Sequence, residues 1–110
     1  MRGAGVRSFD QDLPTVFAGL IHEYSGIICI MAAGIVVRTL SPLLVGKDLD
    51  PAVVVVDEKG RFAISLVAGH MGGANELAAR VSAITGGEPV ITTATDVQGV
   101  FALDLLAKRL

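Results

Sequence analysis

Cysteine is almost missing from this chain: Cys29 stands alone in 110 residues. That excludes an internal disulfide and suits a reducing compartment. An excess of positive charge is missing too. Nine Lys and Arg against eleven Asp and Glu leave a formal charge of −2, and only Lys108 and Arg109 adjoin, so no nucleic-acid partner is expected. No apolar run is long. The longest, residues 27–37, is closed by Arg38 and Pro42 and falls short of the roughly 20 residues a membrane span needs. Arg7, Asp10 and Asp12 near the N-terminus leave no signal-peptide core, so the expected compartment is the cytoplasm, with no membrane partner. Metal ligands are sparse as well. One cysteine and two widely separated histidines, His22 and His70, supply no recognisable zinc set, so no metal site is expected.

What is abundant is apolar surface, at 52% of residues. Two explanations compete: strands covered on both faces, as in parallel sheets, or a surface hidden by another domain or subunit. The length suits one domain that buries about two-thirds of its unfolded surface.

Leu13, Val16, Phe17, Leu20, Ile21 and Tyr24 recur at helical spacing, with Asp12 as a plausible N-cap and Pro14 in the first turn. Residues 27–31 show no alternation and read as a strand buried on both sides. Ala32-Ala33-Gly34 turns into a short helix carrying Ile35, Val36 and Leu40, with Arg38 and Thr39 on its other face. Residues 53–56 and 61–65 read as strands joined by Asp57-Glu58-Lys59-Gly60, an antiparallel hairpin. A third helix comes next, with Ala74, Leu77, Ala78, Val81 and Ile84 inward and Glu76, Arg80 and Ser82 mostly outward, ended by Gly86-Gly87. Residues 89–93 make a fourth strand, and residues 101–110 a closing helix. This order implies an α/β layered sandwich with a mostly parallel sheet plus one antiparallel hairpin, over a single domain.

The stretch from Ser65 to Glu76 organises the rest. Its three glycines, imidazole, carboxamide and carboxylate lie between a strand and a helix, where unpaired N–H groups and the helix dipole favour an anion. The turn lacks the Gly-Lys-Ser/Thr ending of a phosphate loop. His70 suits proton transfer near neutrality, or else fixes the turn through backbone bonds. Gly72 and Gly73 admit a ligand close to the main chain, or supply positive φ. Asn75 binds a ligand carbonyl, or caps the helix, and Glu76 meets the helix dipole before any chemistry. Asp96, after a run of threonines, orients His70 or accepts a proton; otherwise it caps the next segment. Arg38 clamps a carboxylate or solvates its helix, and Lys47 belongs to an exposed turn. If the strand ends converge, Ala33-Gly34 with Arg38, the glycine turn and residues 92–96 share one site. Cys29 is expected buried and inert.

Several motifs carry a resemblance. Residues 31–38, 47–57 and 60–62, Ser65-Leu66, Gly69-His70-Met71-Gly72-Gly73-Ala74-Asn75-Glu76-Leu77-Ala78, and residues 89–96 together resemble the N-terminal region of the CbiG family, the cobalt-precorrin-5A hydrolases of cobalamin biosynthesis. The similarity runs from about Ser8 to the end. Family members usually carry a further strand and helix ahead of this region and a C-terminal domain after it, so a C-terminal partner domain or subunit is expected. The resemblance implies a carboxylate-rich cobalt-precorrin tetrapyrrole as substrate. It implies opening of a δ-lactone with loss of acetaldehyde, and no cofactor, since cobalt arrives inside the substrate. His70 and Asp96 would then be catalytic. Arg38 and Lys47 would hold peripheral carboxylates, while Gly72, Gly73, Ala74, Asn75 and Glu76 would line the substrate site. The alternative is a non-catalytic domain that binds the tetrapyrrole or a partner.

Overall fold

A computed structural model of the chain describes residues 12–46, 48–69 and 72–93. Helix α1 (Leu13–Glu23) opens with Pro14 in its first turn, where a missing N–H costs nothing. Asp12 occupies the N-cap position, but its carboxylate accepts the Thr15 hydroxyl at 2.5 Å rather than a backbone N–H. Strand β1 (Gly26–Ile30) leads into α2 (Ala33–Leu40), and Pro42 tightens the helix end into a 3₁₀ turn, Ser41–Leu43. Strands β2 (Ala52–Val56) and β3 (Phe62–Val67) form the hairpin, α3 (Ala74–Thr85) comes after it, and β4 (Glu88–Val90) closes the described part.

The sheet order is β1-β2-β3-β4, with β1 and β2 parallel, β2 and β3 antiparallel, and β3 and β4 parallel. The expected sandwich with one antiparallel pair is therefore present. Strand β2 is central, and all five of its residues are buried. Its register against β3 slips between Val53 and Val54, so Leu66 and Val67 share one partner position in a bulge.

Helices α1 and α2 cover one face, where Val16, Phe17, Val36 and Leu40 pack on Ile27, Cys29, Val53 and Val55. On the other face Ala74 and Ala78 of α3 pack against Val54, Val56 and Ala63. Small side chains at this helix–sheet contact let α3 lie close, and Ser82 continues the stripe, buried with its hydroxyl donated to the Ala79 carbonyl at 2.9 Å. Two expectations therefore fail. Ser82 points inward, and Ile84 is 84% exposed, because at 100° per residue it stands about 120° round from the Ala74–Ala78–Ser82 stripe.

Strand β1 also differs from its expected two-sided burial. It alternates: Ile27 and Cys29 are buried, whereas Ile28 and Ile30 are 48% and 64% exposed. Helix α3 packs mainly on β2, β3 and β4 and meets this face of β1 at Gly26, where a Cβ would stand 3.5 Å from Leu77 Cδ2, while Ile28 and Ile30 farther along the strand stay exposed. The fourth strand is also shorter than expected and one residue earlier. The expected closing helix over residues 101–110 lies outside the described residues.

Two glycines hold the turn between α3 and β4. Gly86 takes the left-handed conformation (φ 81°) that ends the helix. Gly87 lies so close to the hairpin that a Cβ would strike the Gly60 carbonyl oxygen and come within 2.5 Å of the Arg61 carbonyl oxygen.

Candidate functional site at the β3 and β4 exits

Strand direction decides which loops can meet. Because β3 runs against β2, the carboxyl ends of β3 and β4 lie at the opposite end of the sheet from those of β1 and β2. Five residues of strand span about 16 Å. The expected convergence of every strand end is thus corrected: the entry to α2 at Ala33 and Gly34 does not share an end with the glycine turn. Arg38 is exposed on α2, in the layer across the sheet from α3.

At the β3 exit the chain leaves Val67 and folds sharply. Ala68 has φ of 58°, a strained value for a residue with a side chain, and Gly73 sits at the α3 N-cap with φ of 90°. Gly72 passes over Ala68 so closely that a Cβ on it would collide with the Ala68 Cβ. Glycine is required there by contact and at position 73 by torsion.

The first amides of α3 are then engaged by the turn itself. The Ala74 N–H donates to the Ala68 carbonyl at 3.1 Å, and the Asn75 N–H to the Gly69 carbonyl at 3.0 Å. The Ala74 amide is therefore spoken for by protein in this arrangement. Glu76 is exposed in the first helical turn, where its charge complements the dipole.

Asn75 neither caps the helix nor faces open solvent. Its Oδ1 accepts the Ser65 hydroxyl at 2.7 Å, and its Nδ2 donates to the Thr93 hydroxyl at 2.9 Å. Ser65 is buried on β3, and Thr93 lies just past β4. Gly69 backs onto all three: a Cβ there would stand 2.8 Å from Asn75 Oδ1, 2.9 Å from Thr93 Cγ2 and 3.1 Å from Ser65 Oγ. Strand, turn, helix and the segment after β4 are thus joined through one carboxamide. Sequence spacing hides this arrangement, because Ser65, Asn75 and Thr93 belong to three separate elements.

Three candidate residues, Lys47, His70 and Asp96, lie outside the described residues. Cys29 is 3% exposed, and burial pushes its thiol up to about 11, so it stays protonated and unreactive near neutrality.

The opposite end carries a feature that reading the hairpin only as a connection overlooks. A cleft of about 480 Å³ opens there, floored by Met31, Val55 and Ile64, with Ala33 of α2 at one side and Lys59 and Arg61 at the rim. Asp57 also lines it, yet its carboxylate is held inside the hairpin. Oδ1 accepts the Phe62 N–H at 2.7 Å, and Oδ2 accepts the Lys59 N–H at 3.2 Å and stands 4.0 Å from Arg61 Nε. The Phe62 N–H, more than any other group, holds the Asp57 carboxyl below the usual carboxylate range. The legible signal was the exit of a parallel strand pair, where ligands of open α/β sheets gather. Among the described residues no cluster of three or more His, Cys, Asp or Glu could hold a metal ion, and no helix is long and apolar enough to cross a membrane.

The stretch that holds these residues matches known proteins. Residues 15–96 match the family described as "Cobalamin synthesis G N-terminal". The chain is 45% identical over 104 residues to the cobalt-precorrin-5A hydrolase of Priestia megaterium, covering 94% of this chain and 28% of the relative. It is 46% identical over 110 residues to the enzyme of the same name from Salmonella typhimurium, covering all of this chain and 31% of the relative. Among solved structures, a cobalamin biosynthesis protein G homolog from Sulfolobus solfataricus superposes with a TM-score of 0.63 at 32% identity, over 76% of this chain and 25% of that one. The chain thus spans less than a third of the length of these relatives.

Proposed function

This chain belongs to the Cobalamin synthesis G N-terminal family, and we propose that it serves in opening the δ-lactone of cobalt-precorrin-5A with release of acetaldehyde. The observation that carries the reading is the glycine turn between β3 and α3. It is built around a strained Ala68 and a left-handed Gly73, and tied by Asn75 to the exit of β4. Chain connectivity supports the assignment of His70 and Asp96. His70 is bonded to Gly69, and Asp96 comes three residues after Thr93, within about 11 Å of its Cα. Gly69 and Thr93 are themselves in contact range.

Water attacks the lactone carbonyl as His70 takes its proton, and the ring C–O bond breaks to give a carboxylate and a free hydroxyl. Gly72 and Gly73 offer N–H groups to the oxyanion that forms on the way. The hydroxyl then loses its proton to His70 or Asp96, the adjacent carbon–carbon bond breaks, and acetaldehyde leaves. The electron pair stays on the macrocycle, which is reprotonated. Lys47 holds peripheral carboxylates, and cobalt enters and leaves with the substrate. The reaction takes place in the cytoplasm, with the chain joined to a C-terminal domain or subunit.

The decisive measurement is acetaldehyde release from the lactone by His70→Ala and Asp96→Ala, each in the company of the remaining two-thirds of a full-length relative. A drop of about 10²-fold or more in kcat is expected for each. Normal rates in both variants would remove catalysis from this turn. The modest share of the relatives that the chain covers favours a second reading, a domain that binds the tetrapyrrole while chemistry occurs elsewhere. That reading predicts weaker substrate binding with an unchanged chemical step.

A further inference from the structure

We propose that Asn75 is a positioning residue: its carboxamide clasps the glycine turn after β3 to the segment after β4, and it does not touch substrate. The inference rests on the reading of His70 and Asp96 given above and says how their spacing is set.

Each heteroatom of the carboxamide is bonded to a protein group, Oδ1 to the Ser65 hydroxyl at 2.7 Å and Nδ2 to the Thr93 hydroxyl at 2.9 Å. The polarity of the two bonds suits an amide. Here Ser65 donates and Thr93 accepts, and because both are hydroxyls the bridge needs only a planar polar group of this length, which an apolar side chain cannot supply. The site is also shaped around the clasp. Position 69 has no room for a Cβ beside Asn75, Thr93 and Ser65, so the turn is pressed directly against the bonded trio. Ser65 is anchored in β3 opposite Val54 in the central strand, which gives the clasp a fixed footing. What it joins is chosen by topology: the turn leads straight into residue 70, and Thr93 leads towards residue 96. No backbone hydrogen bond between described residues ties Thr93 to the turn. The side chain of Asn75 performs that task.

Variants of Thr93 separate this role from substrate contact, because they leave Asn75 in place. In the complete enzyme, Thr93→Val and Asn75→Leu are expected to lower kcat about tenfold or more with KM within about twofold, and Thr93→Ser to restore the rate. A rise in KM for the Asn75 variants with Thr93→Val fully active would overturn the proposal, since that is the pattern of a residue that holds substrate. A second readout needs no turnover, so it remains decisive even if the chain proves not to serve lactone hydrolysis. The ring protons of His70 are titrated by NMR with and without Asp96→Asn. In the Thr93 background the substitution is expected to lower the imidazole midpoint by about half a unit or more, as loss of a nearby anion does. In the Thr93→Val background it is expected to have no effect. Equal shifts in both backgrounds, or a shift in neither, would refute the clasp.

Discussion

The two ends of the sheet are held by different means. At the β1/β2 exit the hairpin and the α3–β4 turn meet main chain to main chain: Gly87 lies against the Gly60 and Arg61 carbonyls, and the Glu88 N–H donates to the Arg61 carbonyl at 2.8 Å. At the β3/β4 exit side chains do the joining, through Ser65, Asn75 and Thr93. Main-chain contact tolerates almost any side chain but no added Cβ at the point of approach. Side-chain joining is specific to residue type and is the arrangement a site needs if small shifts of its groups are to matter.

The sharpest way to break the contrast is Gly87→Ala. The new Cβ meets two backbone carbonyls that cannot swing aside, so the chain is expected to lose about 3 kcal/mol or more of stability, read as a lower urea midpoint. A midpoint within error of wild type would mean that the turn is not packed this closely. Gly69→Ala comes next, because its Cβ would meet side chains that can move. We expect about 1–2 kcal/mol of destabilisation, accompanied by a fall in lactone turnover out of proportion to the stability lost. An unchanged rate in the complete enzyme would argue against a site at this end. The smallest effect concerns Asp57. Its folded-state carboxyl titrates below the ordinary 3.8 because the Phe62 N–H bonds the ionised form. The carboxylate therefore contributes stability that is present above the unfolded pKa and is lost as pH falls through the lower folded value. Asp57→Asn is expected to flatten this acid limb in an unfolding series between about pH 5 and 2. A limb of unchanged slope would show that another carboxyl carries it.

Much of the fold is legible in the sequence because local rules and global packing agree. Pro14 at a helix start, Gly86 at a helix end and the four-residue connection after Val56 each have one inexpensive backbone solution. The misses have physical causes. Ile28 and Ile30 are as apolar as Ile27, and nothing in a run of isoleucines tells which face is covered. Polarity alone places Ser82 outward, although a small hydroxyl bonded to its own helix packs as alanine does. At the site, the need for glycine at positions 72 and 73 is readable from the turn. The role of Asn75 is not, because the partners that use its carboxamide lie 10 and 18 positions away. The direction of β3 does come from the hairpin, so the separation of the two strand exits is within reach of the sequence.

The uncovered side of β1 has a practical consequence. Ile28 and Ile30 stand exposed on a strand whose outer edge has no partner among the described residues. A greasy seam beside open main-chain groups is adhesive towards any other extended chain. The polypeptide made by itself is therefore expected to clump as its concentration rises, and co-expression with whatever shields that seam is the way to keep it in solution.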